Sequence, residues 1–414
     1  MKKIAIFGYG ITTKPLVDLL NSKGKTCAIF DDLNSSKHSD EKNNLFYPVS
    51  AFDAKEYELC ITSPGIPPTH FLIQNATNLI SEYDYFLDFL QGSGVWISGT
   101  NGKTTTTEMT SFLLREYHAR AGGNIGYPLA NLALEKRKKP EIWILETSSF
   151  MLHYTKFAYP HIYALLPLHE DHISWHGGFA HYVDDKLSPL MRMGDGDFAL
   201  IPKELQHHPL CQNSRARIYF YEDSKSLLQA FGIKNEGSKF KGPFLLDAVM
   251  ALCIARLLGK EKDMSDLWGY EIGPHRMQEF WDREGNLWVD DSKGTNVDAT
   301  LAALLCYKDQ KIHLILGGED KGANQESIFA FIKEHGLEIV LYLIGANVKK
   351  LQGLARDFGV EFFVCETLAV AVAKVKRSLQ KNEVALLSPA AASLDQFRSY
   401  KERGELFQRL AREG

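Results

Sequence analysis

Val95-Trp96-Ile97-Ser98-Gly99-Thr100-Asn101-Gly102-Lys103-Thr104-Thr105 is a short apolar run feeding a glycine-bracketed turn, then a lysine, then hydroxyls that open a helix. Met109, Phe112, Leu113 and Tyr117 follow at helical spacing, so the spacing predicts a helix with one apolar face docked on a sheet and its positive N-terminus aimed at an anion. The glycines let backbone N–H groups wrap phosphates, Lys103 can neutralise the β/γ oxygens, and Thr104 offers a hydroxyl to magnesium. The general phosphate-loop pattern has a glycine five residues before its Gly-Lys pair. Here that position is Ile97, so the loop is a compact variant.

Working outward, the 414 residues exceed one ordinary core, and two to four domains are expected. Hydrophobic residues at 45% and charged residues at 24% describe a globular chain, and a net charge of −4 gives no bulk attraction to nucleic acid or acidic lipid. The apolar run after Met1-Lys2-Lys3 is too short for a signal peptide, and no stretch has the length of a membrane span. The six cysteines never form Cys-x-x-Cys, which argues against a zinc ribbon or redox dithiol and for buried thiols in a cytoplasmic protein.

Apolar runs alternating with helical patterns predict an α/β chain of three parallel sheets covered by helices. The first set is Ile4 to Phe7, Ala28 to Phe30 and Leu59 to Thr62. The second begins at Val95 and adds Ile142 to Leu145 and Ile162 to Leu166; the third holds Leu287 to Val289, Ile312 to Leu316, Ile339 to Ile344 and Val384 to Leu387. Linkers at Gly92-Ser93-Gly94 and Gly269 to Pro274 divide it into 1–91, 92–272 and 273–414.

Read as residues alone, several sites stay open. Gly8-x-Gly10 with Asp31 after the next strand suggests a dinucleotide fold, but Thr13 occupies the third glycine's place, and Asp31-Asp32 is nearly as readily a solvated turn. Glu146 ends an apolar strand near the phosphate loop, where nucleotide-bound magnesium needs a hard oxygen. His169, His172 and His176 permit a zinc reading, weakened because the second histidine of His-Glu-x-x-His is replaced by Ile173; histidines simply capping a loop are the bland alternative. Lys186 by itself reads as a solvated helix lysine.

The compact Gly-Thr-Asn-Gly-Lys-Thr-Thr loop, Glu146-Thr147-Ser148-Ser149-Phe150, His169-Glu170-Asp171-His172, Pro274-His275-Arg276 and Asp291-Ser292-Lys293-Gly294-Thr295-Asn296 stand in one order that resembles the Mur ligases and their relative folylpolyglutamate synthase. The resemblance implies a Rossmann-like N-terminal domain, a central ATPase-type domain and a Rossmann-like C-terminal domain. It also implies ATP-driven amide formation: a carboxylate is phosphorylated and an amine displaces the phosphate.

In that family's terms, ATP would be held by Gly99, Thr100, Asn101, Gly102, Lys103, Thr104 and Thr105, with Arg276 at the γ-phosphate and Asp291 at the ribose. Asp247 stands where an adenine-binding asparagine is usual. Two magnesium ions would be organised by Thr104, Glu146, His172 and a carbamylated Lys186; Lys103, His172, Lys186, Arg276 and Lys293 would be catalytic. Gly10, Ile11, Thr12, Asp31, Asp32, Ser63, Pro64, Gly65 and Asn124 would hold the UDP-sugar carrying the carboxylate.

The segments Gly317 to Gly322 and Ser388 to Phe397 resemble the family members that add D-glutamate to UDP-N-acetylmuramoyl-L-alanine, with Thr295, Lys321, Ser393, Leu394 and Tyr400 gripping the amino acid; the Asp-Asn-Pro-Arg loop of the diamino-acid-adding siblings is absent. A cytoplasmic monomer with small-molecule substrates, no nucleic-acid partner and no membrane insertion is expected. The alternatives are folylpolyglutamate synthase, a sibling Mur ligase, or a nucleotide-sugar-binding regulator without chemistry.

Overall fold

The computed structural model describes residues 3–88, 90, 93–135, 141–236, 238–319 and 324–413. Its strands form three six-stranded sheets. In the first, β1 (Ile4–Phe7), β2 (Cys27–Phe30), β3 (His38–Ser39), β4 (Leu45–Tyr47), β5 (Leu59–Thr62) and β6 (Leu79–Ile80) take the order β3-β4-β2-β1-β5-β6, with only the β3–β4 edge antiparallel. The second, β7 (Ser93–Ser98), β8 (Ala119–Gly123), β9 (Ile142–Glu146), β10 (Ile162–Leu165), β11 (Phe198–Pro202) and β12 (Arg217–Tyr221), is parallel throughout in the order β12-β11-β10-β7-β9-β8. The third, β13 (Gln278–Trp281), β14 (Leu287–Asp290), β15 (Ile312–Leu316), β16 (Ile339–Ile344), β17 (Glu361–Glu366) and β18 (Val384–Leu387), runs β13-β14-β18-β15-β16-β17, antiparallel only at β13.

The strands read from the sequence are the buried central ones, whose near-continuous apolar character follows from helices covering both faces. In the first two sheets the chain winds first to one side of its opening parallel strand, β1 or β7, and then to the other, and in the third β18 returns to lie between β14 and β15. Such switch points leave a crevice at the carboxyl ends of the strands, where ligands bind in open α/β folds.

The chain divides into two compact units, one of residues 1–239 and 244–270, the other of 240–243 and 271–414. The first unit contains two sheets because one apolar cluster runs through both, from Ile6 and Leu16 to Tyr83, Trp96 and Trp143. Asp84 adds a polar stitch: its buried carboxylate accepts the N–H groups of Lys156, Phe157 and Ala158, each at 2.8 Å. Removing it strands three donors away from water, so Asp84→Ala is expected to cost about 4 kcal/mol in urea unfolding. A loss below about 1 kcal/mol would show that the stitch carries no load.

Glu82, also buried, accepts the N–H of Ala130 at 3.1 Å, and burial raises its carboxyl to about 8. The folded chain therefore holds a proton that the unfolded chain gives up near 4.5, and the stability so contributed is present in acid and lost as pH rises through about 8. Glu82→Gln keeps the acceptor and is expected to flatten that fall, read as melting temperature against pH; an unchanged slope would assign it to other groups.

Within the second unit, one apolar cluster packs helices against the sheet around Leu314, Leu341 and Phe329, and another does so around Trp288, Tyr342 and Phe407. No helix among the described residues is long and apolar enough to cross a membrane.

Candidate active site

β7 is the switch strand of the second sheet, flanked by β10 and β9, and its carboxyl end delivers the phosphate loop. Gly99 has φ +137°, and a Cβ there would lie 2.5 Å from Leu166 Cβ; Gly102 has φ +79° and caps the helix Lys103–Leu113. Both glycines are thus required by backbone conformation, and Gly99 by close packing as well. Ile97, which fills the usual first-glycine place, is still inside the buried strand, where its carbonyl accepts from the Thr147 N–H at 2.8 Å. The helix differs from its expected face at one point. It ends at Leu113, leaving Tyr117 in a following short turn, while Thr105, Thr106, Thr107 and Thr110 share the buried side with Met109 and Leu113.

Lys103 folds back over the loop, its Nζ donating to the carbonyls of Gly99 (2.9 Å) and Thr100 (2.8 Å). Burial pulls its ammonium below the ordinary lysine value, against the opposing charges of Glu146 and Asp171. Thr100 is itself fixed, its hydroxyl paired with Tyr182 Oη at 2.8 Å and accepting the His169 N–H at 2.9 Å. Asp247, from the helix Pro243–Leu257, accepts from Thr106 Oγ1 at 3.0 Å and sits where a Cβ on Gly102 would meet it at 2.3 Å. The carboxylate thus packs on the phosphate loop itself.

One strand over, β9 ends at Glu146. Asn124 Nδ2 donates to its Oε1 at 2.8 Å, Tyr83 donates to its backbone carbonyl at 3.2 Å, and its buried Oε2 has no hydrogen-bond partner among the described residues. A buried carboxylate oxygen left open beside a phosphate loop suits a hard divalent cation. No set of three or more His, Cys, Asp or Glu side chains among the described residues forms a cage, and magnesium, which draws much of its shell from phosphates and water, does not need one.

His176 is committed elsewhere, to Asp185 at 2.7 Å and Ser149 at 2.9 Å, which removes it from the zinc trio. His172 adopts φ +54° at the start of the turn Ile173–His176, packs on the Phe150 ring at 4.7 Å and pairs with Asp171 at 3.4 Å.

Lys186 is buried, contrary to its plain reading as a solvated residue. It shares the inner face of the helix Phe179–Leu187 with Tyr182, Val183 and Leu187, and its Nζ donates to Ser98 Oγ at 2.9 Å and the Gly99 carbonyl at 3.0 Å. Burial, and then the neighbouring Lys103 charge, push its amine well below the ordinary lysine value, while Asp171 and Glu146 oppose the shift. Asp171 therefore belongs to the cluster, although only its neighbour was singled out from the motif.

The first sheet repeats the arrangement at β1. Thr13 Oγ1 accepts the Gly10 N–H at 3.1 Å and donates to the Gly8 carbonyl at 2.7 Å, so the residue in the missing glycine's place ties the turn shut. Ile11 is exposed and Thr12 precedes the helix Thr13–Ser22. Asp31 is spent on the backbone, accepting from Tyr9 (2.7 Å) and Leu33 (2.9 Å), whereas Asp32 lies on the surface near His70 at 3.3 Å. The Ser63-Pro64-Gly65-Ile66 loop is bound to the second sheet's helices through Trp175 Nε1 to the Gly65 carbonyl (3.3 Å) and Tyr154 Oη to that of Ile66 (2.6 Å).

In the second unit, β18 lies between β14 and β15, so the loops after all three leave neighbouring strand ends. Asp291 is buried, accepting from Ser388 Oγ at 2.7 Å, and burial raises its carboxyl to about 7. Lys293 lies over the Tyr400 ring at 6.0 Å; Thr295 is exposed, Ser393 buried and Leu394 exposed. Arg276 follows His275, whose Nδ1 pairs with Asp290 at 2.7 Å. Lys321 lies outside the described residues.

The sequence reading missed Arg403. This buried arginine on the terminal helix Tyr400–Arg412 donates to Ser292 Oγ (3.0 Å), the Ser292 carbonyl (2.8 Å) and the Ala391 carbonyl (3.2 Å), locking two of the loops together. Its signal was an arginine on the same helical face as Phe407 and Ala411.

Residues 97–260 match the family model described as the Mur ligase middle domain. The UDP-N-acetylmuramoylalanine–D-glutamate ligase of Campylobacter jejuni is 47% identical over 405 residues, covering 98% of each chain. The chain belongs to the Mur ligase family. As a Mur ligase it is an ATP-dependent amide ligase. A Helicobacter pylori protein named as the same ligase is 45% identical, again over 98% of both chains. The MurF ligase of Thermotoga maritima, solved with ADP, shares the fold with a TM-score of 0.58 at 18% identity, over 94% of this chain and 96% of that one.

Proposed function

We propose that this Mur ligase joins D-glutamate to the alanyl carboxyl of UDP-N-acetylmuramoyl-L-alanine at the expense of ATP. The observation that carries the reading is full-length similarity to relatives bearing that name, together with a phosphate loop and an open carboxylate oxygen on Glu146 at adjoining strand ends and a buried Lys186 amine bonded to that loop.

In this reading Gly99 to Thr105 and Lys103 hold the ATP phosphates, and Arg276 and Lys293 add positive charge as the γ-phosphoryl group moves. Thr104, Glu146, His172 and a carbamylated Lys186 would hold magnesium, which would supply positive charge to offset that of the phosphates. Asn124, held against Glu146, is poised for the alanyl carboxylate, and the turns at Gly10 to Thr12 and Ser63 to Gly65 for the UDP-sugar. A carboxylate oxygen attacks the γ-phosphorus and ADP leaves; the amine then attacks the acyl carbon and the C–O bond breaks to release phosphate. Thr295, Lys321, Ser393, Leu394 and Tyr400 receive the amino acid. Asp31 contributes by shaping the turn, Asp247 by steadying the phosphate loop, and Asp291, beside the ribose site, through the loop it anchors.

An amine panel tests the assignment. With ATP and UDP-N-acetylmuramoyl-L-alanine present, ADP release is expected with D-glutamate and not with L-glutamate, lysine or diaminopimelate. Turnover of L-glutamate with a folate, and none with D-glutamate, would overturn it.

A further inference from the structure

Three segments carry the residues assigned to the cation: the end of β9 at Glu146 with the stretch that follows it, the turn led by His172, and the helix Phe179–Leu187 with Lys186. One side chain, on the second of these, bonds to the other two. His176 closes the His172 turn, and its ring is buried. Nδ1 faces Asp185 Oδ2 at 2.7 Å, immediately before Lys186, and Nε2 faces Ser149 Oγ at 2.9 Å, three residues after Glu146. Asp185 is held from its other side by His153 Nδ1, at 2.9 and 3.0 Å to its two oxygens, and the His176 carbonyl accepts from His181 Nδ1 at 3.1 Å. The Phe150 ring stacks on His176 at 5.6 Å and also touches His172. With a buried serine and imidazole, this Ser-His-Asp line resembles a nucleophilic triad only in its order. What it spans is the set of chain segments that must stay in register for a cation to be held.

We propose that His176 is a positioning residue for the divalent cation, a relay through Ser149 and Asp185 that fixes Glu146, His172 and Lys186 against one another. The proposal rests on the ligase reading for the identity of the cation's ligands. Outer hydrogen-bond partners of metal ligands commonly govern affinity by tenfold or more. The phosphate loop, by contrast, is built from β7 and the helix after it, and neither of the two His176 ring bonds ends on it.

The test uses the full chain and two probes, ADP alone and Mn2+ with ADP, the second read by electron paramagnetic resonance. His176→Phe, which keeps a ring but loses both bonds, is expected to weaken Mn2+ binding about tenfold while metal-free ADP affinity stays within about twofold. His176→Gln, with one donor and one acceptor, should recover part of the loss. Ser149→Ala removes one end of the relay without disturbing the ring and should shift Mn2+ affinity in the same direction, which keeps the proposal testable if the phenylalanine variant does not fold. Unchanged Mn2+ affinity in Ser149→Ala, or parallel loss of Mn2+ and ADP binding, would overturn the proposal. Failure of wild-type protein to release ADP in the amine panel would instead count against the ligase reading, because the Mn2+ readout needs no turnover.

Discussion

Lys103→Ala is expected to lower ADP release about a thousandfold, measured with both substrates and ATP present. The reason lies in where the ammonium sits. Its donors are turned onto the carbonyls of Gly99 and Thr100 inside the loop, so the charge is held among the groups that would receive the phosphates. Burial makes that charge costly, and Glu146 and Asp171 offset part of the cost. A pre-positioned charge in a site poor in water is worth far more against developing phosphate charge than one in solvent. Calorimetric ATP binding should weaken in parallel, with the melting temperature checked to confirm a folded variant. Activity within about threefold of wild type would remove the phosphate-loop assignment.

Lys186→Ala should cost about a hundredfold, with partial recovery on adding acetate or formate. Two lysines stand near one another here, and burial together with the charge of Lys103 drives the Lys186 amine well below its ordinary value. A neutral amine is nucleophilic. It can add to carbon dioxide, forming an N–C bond and losing one proton to give a carbamate, which replaces repulsion from Lys103 by attraction. A small carboxylate diffusing into the space left by alanine would restore the negative group but not its tether, hence partial rescue. In wild-type protein, 13C-bicarbonate should yield a carbamate resonance that is lost in the variant. A neutral phenotype, or no such resonance, would mean that Lys186 acts as a plain amine.

Much of this arrangement was legible in the chain. The central strands are continuous apolar runs because both faces are covered, and the phosphate loop declares itself by its glycines. The edges were not legible. β8 reads Ala-Arg-Ala-Gly-Gly, a pattern without an apolar run, because Gly122 and Gly123 are small for packing reasons: a Cβ on Gly123 would lie 2.5 Å from the Glu146 carbonyl. Single-residue chemistry also misjudged Lys186, since nothing in lysine's usual behaviour anticipates burial. Its helical spacing from Tyr182 and Val183 was the available clue. The one-turn spacing of His172 and His176 permits a zinc reading but does not decide it, and only the folded positions of Ser149 and Asp185 reveal where the two nitrogens of His176 go.

Activation of a carboxylate as an acyl phosphate is the central step, and oxygen transfer reports it directly. UDP-N-acetylmuramoyl-L-alanine labelled with 18O in its alanyl carboxyl is to be incubated with ATP, D-glutamate and magnesium, and the products weighed by mass spectrometry. One 18O in the released phosphate for each amide formed is the predicted result, because the attacking oxygen leaves with phosphorus. Amide accompanied by unlabelled phosphate, or ADP with no amide, would contradict it.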